Sequence, residues 1–545
     1  ARMGMLALRK RHWAAGLIAA AIVSSPSAWA QSPPAEQPQS APRFTVSAVR
    51  VEGNTLLPDD TLNAIAAPLV GGERTLDDLK QAAAAIQQAY RDRGYGGVVA
   101  FVPPQKLSGG DVVIRVVEGK LARVNLSGNE RYDAGNIRGS LPSLREGETP
   151  RVEDLDRDIQ LANENPAKEL RVKLAAGAKP GEIDATVEVE EESPVRILLG
   201  LDDTGEPSTG DYRLTLGVQH LNLWDLDHIG TAQFQTSPTD PDLVQIYALG
   251  YRAPLYGHAA SIDLFYGHSS VDTGTSTTPA GPLLFTGKGD VAGVRANRYL
   301  DRIGEYDHHV TLGLDWRSYD NDCSVGDFGE AGCGPSGVDV TLVPLSLGYT
   351  GEVQLPEWSA RFSAAVAHNL GGSSERTFEQ ARAGAPRDYT VLRAFALAGM
   401  ELGQGWGVQG RVTAQYSPDP LVPGEQFGLG GADSVRGYYE RELAGDYGVS
   451  ASLEGLAPVL RYTLAGQDAT LRPLVFVDYG HIVNHEDAPC LGNDTSCTLS
   501  SAGVGARFTL GKRASARLDL AYAFDDGSLT DADETRAHFA IQLAF

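Results

Sequence analysis

The chain has 545 residues and a formal net charge of -24 at pH 7. That length suits several domains rather than one, and so acidic a balance excludes a general nucleic-acid binder, which needs a basic face to neutralise phosphates. Mean hydropathy is -0.20, a value that fits a water-soluble protein and equally a membrane barrel, whose strands turn only alternate residues to lipid.

Residues 1–30 read as a signal peptide. Arg9, Lys10 and Arg11 form a positive start, Trp13 to Val23 a short apolar core, and Ala28-Trp29-Ala30 a cleavage site, so the mature chain is expected to begin at Gln31. The apolar core is too short to anchor in a bilayer, which needs about 20 helical residues. No later stretch is long and apolar enough for a transmembrane helix, so any membrane-spanning part must be a closed barrel. Residues 31–42, rich in Pro, Gln and Ser, read as a linker.

Two similar units follow, over 43–119 and 120–193. In the first, Phe44 to Val51 alternates as a strand and Pro58-Asp59-Asp60 opens a helix. Thr75-Leu76-Asp77-Asp78 caps a second helix, ended by Gly94-Tyr95-Gly96. Val98 to Val102 and Val112 to Val117 are strands. The second unit repeats the β-α-α-β-β order, with strands at Leu121 to Leu126, Glu169 to Leu174 and Ile183 to Glu190, and helices at Asp133 to Leu141 and Val152 to Asn163.

From 194 to 545 no convincing amphipathic helix is predicted. Segments of about ten residues alternate strictly instead. Tyr212, Leu214, Leu216 and Val218 share one face and Arg213, Thr215, Gly217 and Gln219 the other. Val310, Leu312, Leu314 and Trp316 oppose Thr311, Gly313, Asp315 and Arg317; Leu518, Leu520 and Tyr522 oppose Arg517 and Asp519; Ala537, Phe539 and Ile541 oppose His538 and Gln542. A soluble sandwich also alternates. A barrel is favoured because Arg and Asp lie among Gly and Thr on the polar face, as in a hydrated lumen. Trp406 and Tyr416 also mark the two ends of one apolar face, roughly 25 Å apart in height for a tilted strand.

Sixteen strands are counted, starting near residues 195, 211, 228, 243, 259, 289, 306, 338, 357, 389, 406, 448, 471, 498, 513 and 535. Connections after even strands are short. Several after odd strands are long: Ser269 to Gly287, Asp320 to Gly337, Gly371 to Asp388, Ser417 to Tyr447 and Val483 to Cys497. This asymmetry is that of outer-membrane barrels. Cys323 and Cys333 share one long loop and Cys490 and Cys497 another, so two local disulfides are expected in an oxidising compartment. Metal-binding Cys/His spacing is missing, so no metal site is expected.

The longest loop contains Ser434-Val435-Arg436-Gly437-Tyr438-Tyr439, and a later strand reads Phe476-Val477-Asp478-Tyr479-Gly480. By parity Val475, Val477 and Tyr479 face lipid, and Phe476 and Asp478 face the lumen. A carboxylate there needs a cation or several donors. A loop of about thirty residues can fold inward and deliver Arg436, whose planar fork suits a carboxylate, with Gly430, Gly431 and Gly437 easing the backbone path. The residues alone leave open an exposed Arg436 and an Asp478 satisfied by Arg472 or another lumen cation.

The loop resembles the Val-Arg-Gly-Tyr motif of the TpsB family, the two-partner secretion transporters (haemolysin/haemagglutinin secretion-activation proteins) of the POTRA-containing outer-membrane barrel superfamily. The strand resembles that family's Phe-x-Asp-x-Gly motif. The motif residues here are Val435, Arg436, Gly437 and Tyr438 in the loop, and Phe476, Asp478 and Gly480 in the wall. The resemblance implies that Arg436 reaches into the barrel and pairs with Asp478, and that the paired units are two POTRA (polypeptide-transport-associated) domains. The implied fold is α+β periplasmic domains followed by a 16-stranded antiparallel transmembrane β-barrel. It also implies a function: translocation and activation of a large unfolded partner exoprotein across the outer membrane, with the POTRA domains as receptor and the loop as gate. Members often carry an N-terminal plug helix; only about a dozen residues separate the expected cleavage site from the first strand here, so no plug is expected and closure falls on the loop. Phe545, ending an alternating strand, resembles the signal by which barrels are recognised for insertion.

No enzyme activity and no cofactor are expected. Gly281 to Lys288 misses the spacing of a phosphate loop, and no Gly-x-Ser-x-Gly or His-Glu-x-x-His occurs. Asp202-Asp203 and Asp525-Asp526 fall at loop positions, where solvated charge is expected. The expected partners are a secreted exoprotein (an adhesin, haemolysin or contact-dependent toxin), outer-membrane lipid, and the barrel-assembly machinery during biogenesis. The rival function is a factor that inserts other barrels; two POTRA units rather than a longer array favour secretion.

Overall fold

A computed structural model describes residues 42–106, 109–271, 274–285, 288–320 and 337–545. The signal peptide, almost all of the linker, and Cys323 and Cys333 lie outside the described residues.

The first α+β unit packs a helix, Leu76–Arg91, on a three-stranded sheet of order Ala48–Glu52, Asp111–Glu118, Val98–Phe101, the first pair parallel and the second antiparallel. The helix forms because Thr75 and Asp78 cap each other: the Asp78 amide donates to Thr75 Oγ1 (3.3 Å) and the Thr75 amide to Asp78 Oδ2 (2.7 Å). Those bonds hold the Asp78 carboxyl below the usual carboxylate range. Leu79, Ala82, Ala83, Ile86 and Tyr90 recur at helical spacing and bury against Val98, Val112, Ile114 and Val116. The expected strand Phe44 to Val51 is split into Phe44–Thr45, paired with Glu73–Arg74, and Ala48–Glu52.

The second unit has the same order and sheet pattern: Lys120–Ser127 parallel to Glu182–Glu191, which is antiparallel to Lys168–Ala176, with helices Ala134–Gly139 and Val152–Asn163. One turn repeats between the units. Gly53 and Gly128 both have left-handed φ (+90° and +87°), and a Cβ at either would lie 2.2 or 2.3 Å from a carbonyl oxygen of the neighbouring strand. An Asn follows each. A Glu ending the last strand then accepts from the turn amides, Glu118 from Thr55 and Leu56, and Glu191 from Glu130, Arg131 and Tyr132. A Gly-Asn turn closed by a distant Glu is a duplicated solution to one steric problem.

The rest is a closed antiparallel barrel whose sixteen strands, among the described residues, are Val195–Asp202, Arg213–Leu223, His228–Thr236, Gln245–Leu255, Ala260–Ser269, Gly289–Tyr299, Tyr306–Tyr319, Val340–Gln354, Trp358–Gly372, Thr390–Gly403, Trp406–Tyr416, a twelfth in two pieces (Tyr447–Leu456 and Leu460–Leu464), Gln467–Val483, Ser496–Leu510, Ala514–Ala523 and Thr535–Ala544. The last pairs with the first, from Ala540↔Asp202 to Ala544↔Leu198. The break in the twelfth strand falls at Pro458, which has no amide to give the ladder. Alternation has the expected result. Leu214, Leu216 and Val218 are exposed on the outer wall while Arg213 is buried within, and Trp406 and Tyr416 stand exposed at opposite ends of one strand. Inward carboxylates meet inward cations: Arg252 Nε donates to Asp263 Oδ1 (2.6 Å), and Arg295 to Asp315.

Two expectations are corrected. The loop from Gly371 to Asp388 contains a helix, Glu375–Ala381, where no helix was predicted. It is too short to show a period, but Ser374 caps it and Phe378 and Ala381 bury against Val340, Leu342 and Tyr389. Asp203 is buried rather than solvated: its Oδ1 accepts from the Phe539 amide (2.7 Å) at the seam of the barrel.

Candidate functional site

The connection 417–446 runs inside the barrel. Its stem is a short antiparallel pair, Phe427–Leu429 with Leu443–Gly445, and its tip carries Val435 to Tyr438. The thirteenth strand presents Phe476, Asp478 and Gly480 inward, while Val475, Val477 and Tyr479 are exposed outside. Loop and wall approach closely at Gly480: a Cβ there would stand 2.1 Å from Leu429 Cδ1. Only glycine lets the stem lie flat on the wall.

Arg436 is 2 % exposed and Asp478 4 %. Arg436 grips Asp478 bidentately, Nε to Oδ2 at 2.7 Å and Nη2 to Oδ1 at 2.8 Å, and its own amide donates to Oδ2 at 3.1 Å. Nη1 reaches Glu454 Oε1 (2.7 Å) and Nη2 Ser452 Oγ (2.9 Å). The guanidinium lies 3.4 Å over the centroid of the Phe476 ring, a cation–π contact. Asp519 is 3.7 Å from Nη1 and takes its main donor from Arg507 Nη1 (2.6 Å). Two arginines therefore serve three carboxylates. The other motif residues have separate tasks. Val435 and Tyr438 are fully buried with Leu429, Ile482 and Leu499. Tyr438 Oη donates to backbone carbonyls of Ser500 (3.0 Å), on the fourteenth strand, and Asp525 (2.9 Å), in the connection after the fifteenth. At Gly437, φ +101° turns the backbone so that its amide donates to His538 Nε2 (2.9 Å). That acceptor role needs the neutral ring with its proton on Nδ1, which lies 3.1 Å from Asp203 Oδ2.

Arg472, weighed as an alternative partner of Asp478, points elsewhere, to the Ala457 carbonyl (3.1 Å) and Glu401 (3.4 Å). Ser452, Glu454, Asp519 and His538 were missed as members of the site. Parity marks each as inward, but only strand register brings Ser452 opposite Asp478 and Glu454 opposite Phe476. The lumen left beside the loop is a cavity of about 1430 Å³, and Glu425, Phe427, Asp433 and Glu440 of the loop form one of its sides, so movement of the loop changes its width.

Cys490 and Cys497 form a disulfide, and Cys497 packs beside Val435 and Tyr438. The ring it closes is short, so reduction is expected to lower local stability by about 2 kcal/mol. Hydrogen exchange of the 484–496 amides with and without reductant checks this; unchanged protection would mean that the cross-link constrains nothing there.

A second buried cluster joins the second α+β unit to the barrel. Lys168 is fully buried and its ammonium has three acceptors: Asp227, Asn136 Oδ1 (2.9 Å) and Ser140 Oγ (3.2 Å). Asp227, in the short turn after the second barrel strand, also accepts from Tyr256 Oη (2.6 Å) and Asn136 Nδ2 (3.0 Å). Burial pushes the Lys168 ammonium below its usual range, and Asp227 opposes that shift. Arg157–Asp301, Arg252–Glu164 and Lys512–Glu192 ring the joint.

A family model described as haemolysin secretion/activation protein ShlB/FhaC/HecB matches residues 181–508, and one described as POTRA domain, ShlB-type, matches residues 44–119. Among curated relatives, the outer membrane transporter CdiB of Dickeya dadantii is 25% identical over 492 residues, covering 86% of this chain and 83% of its own. The hemolysin transporter protein ShlB of Serratia marcescens is 23% identical over 483 residues, covering 87% and 80%. The solved structure of CdiB from Escherichia coli superposes with a TM-score of 0.74 at 22% identity, over 94% of this chain and 93% of that one. CdiB from Acinetobacter baumannii gives a TM-score of 0.68 at 17% identity, over 93% and 91%. With a two-unit periplasmic arm, a sixteen-stranded barrel and a family match over more than half its length, the chain belongs to the haemolysin secretion/activation protein family, ShlB/FhaC/HecB.

Proposed function

We propose that the periplasmic units capture an unfolded partner exoprotein, that the barrel passes it outward, and that the inward loop, held by Arg436 on Asp478, is the gate. Family membership makes the chain an outer-membrane transporter of two-partner secretion, with its POTRA part in the periplasm, and favours secretion over insertion of other barrels. The receptor is assigned to POTRA units at 43–119 and 120–193, and the pore to 194–545. The observation that carries the gate is the bidentate Arg436–Asp478 pair, which fixes the loop tip to the inner wall. Val435, Gly437 and Tyr438 seat the tip, and Phe476 and Gly480 shape the wall that receives it.

Support for capture comes from open sheet edges. Val98–Phe101 and Lys168–Ala176 are each paired on one side only among the described residues, and Val99, Phe101 and Leu174 are exposed there. An extended segment can add to such an edge through backbone hydrogen bonds, with alternate side chains read by the neighbouring surface. The exposed apolar band faces outer-membrane lipid, and assembly of the barrel engages the cell's barrel-insertion machinery. CdiB is named an outer membrane transporter and ShlB a hemolysin transporter protein; the partner proposed here is a large adhesin, haemolysin or contact-dependent toxin. Co-expression with a candidate large exoprotein tests the reading. Exoprotein in the medium is expected; exoprotein held in the periplasm beside a correctly folded barrel would overturn it.

A further inference from the structure

The loop that carries Arg436 is tied to the barrel a second time, at its base and on a different part of the wall. Glu425, in the turn Pro423–Glu425, is 2 % exposed. Its Oε1 accepts from Arg317 Nη1 (2.6 Å) and Tyr319 Oη (3.0 Å), on the seventh strand, and its Oε2 accepts from Arg393 Nη2 (3.0 Å), on the tenth. Both arginines are themselves held. Arg317 Nη2 donates to Asp315 (2.7 Å), which also takes Arg295, and Arg393 Nε donates to Gln415 Oε1 (2.9 Å). Gln415 then donates through Nε2 to the carbonyls of Glu425 (2.9 Å) and Asp446 (3.3 Å), gripping the outgoing and returning ends of the loop together. Asp446, fully buried, accepts from the Leu421 amide (2.9 Å), from Gln426 Nε2 (3.2 Å) and from Arg382 Nη2 (2.6 Å), the arginine that follows the short helix Glu375–Ala381.

The tip contacts lie elsewhere. Asp478, Ser452 and Glu454 belong to the twelfth and thirteenth strands, Asp519 to the fifteenth and His538 to the sixteenth. No residue is shared between the two clusters, so breaking one leaves the donors and acceptors of the other in place. Two clasps on different walls give a loop that is retained when either is released.

We propose that Glu425, held by Arg317 and Arg393, is a positioning residue that keeps the loop inside the barrel independently of the Arg436–Asp478 pair, so that the pore opens fully only when both clasps are released. This rests on the reading of the loop as the gate. Three consequences follow from the geometry. Release of the tip alone swings the tip while the base stays on the seventh and tenth strands. Release of the base alone leaves the loop pinned by the tip. Release of both leaves the segment held only by smaller ties, such as Asp433 to Arg517 on the fifteenth strand (2.6 Å), and lets it leave the lumen.

Conductance of the purified full chain in planar bilayers tests this, using Arg436→Ala, Glu425→Gln and the double variant, with heat-modifiable electrophoretic migration as the check that each barrel is folded. Each single variant is expected to raise mean conductance little, and the double variant to raise open probability roughly tenfold above either. Glu425→Asp, which keeps the charge, is expected to stay near wild type in an Arg436→Ala background, a rescue that a merely structural loss would not show. Should Glu425→Gln fail to fold, Arg317→Gln combined with Arg393→Gln removes both wall cations of the same clasp and is expected to behave alike. Full opening by Arg436→Ala alone would overturn the second clasp and leave the gate reading intact. No opening in the folded double variant would overturn both, because the loop would then not be what closes the pore.

Discussion

Arg436→Ala is expected to secrete no partner exoprotein although its barrel still inserts and migrates as a folded species, and Asp478→Ala is expected to match it. The physical basis is the isolation of the pair. Arg436 supplies both fork donors to Asp478 and further donors to Glu454 and Ser452, so its loss leaves Asp478 without its cation and Glu454 with Arg507 alone, at 3.4 Å. Removing one partner from such a pair costs about 3 kcal/mol where water is partly excluded. That is about a hundredfold change in the balance between the docked and the released tip, while the base of the loop stays in place. The barrel survives because its own ladder, sixteen strands each bonded to two neighbours, owes nothing to this contact. Arg436→Lys is expected to fall between wild type and Ala, since an ammonium cannot bind both Asp478 oxygens in the plane of a fork. Secretion is scored by the exoprotein in the medium against the amount of folded barrel in the membrane. Wild-type export by both Ala variants would show that the pair does not govern transport.

Lys168→Ala is expected to loosen the second periplasmic unit from the barrel and to cut secretion strongly. Lys168 and Asp227 are both buried, and Ala would leave the Asp227 carboxylate with Tyr256 and Asn136 but no charge to balance it. An uncompensated buried charge of this kind costs about 3–5 kcal/mol. The other ion pairs around the joint among the described residues, such as Arg157–Asp301 and Lys512–Glu192, are exposed or half-exposed and each worth less than about 1 kcal/mol. They cannot make up the loss. The pair Lys168→Met with Asp227→Asn removes both charges and keeps volume, so it is expected to recover most of the stability, as replacement of a whole buried ion pair often does. Protease sensitivity of the 192–195 connection, with hydrogen exchange of Lys168–Ala176, reads the effect. If Lys168→Ala is as resistant as wild type, the buried pair is not what fixes the arm to the pore.

Much of the candidate site can be read from the chain. Parity alone places Phe476 and Asp478 inside and Val475, Val477 and Tyr479 outside, because a strand has a period of two and each wall residue has one solvent. The same rule marks Glu454, Asp519 and His538 as inward, yet gives no reason to choose them among the other inward polar residues. Which of them meet Arg436 depends on the register of four different strands and on the path of one loop. Neither leaves a local trace. Glu425 is less legible still: it lies in a turn, where a carboxylate is ordinarily solvated, and its partners are 108 and 32 residues away.

The chain by itself therefore determined the things that depend on near neighbours. These are the helix capped by Thr75 and Asp78, the duplicated β-α-α-β-β order, the alternation that makes two-faced strands, the short and long connections, and the presence of both motifs. Only the tertiary structure decided what depends on distant segments arriving at one place. Lys168 meets Asp227 across 59 residues, Asp203 is buried at the seam against Phe539 across 336, and a loop is clasped at both tip and base. The reason is physical. Steric and solvent preferences act within a few residues and are written in local order, whereas a buried charge takes whichever partner the closed barrel brings within about 3 Å.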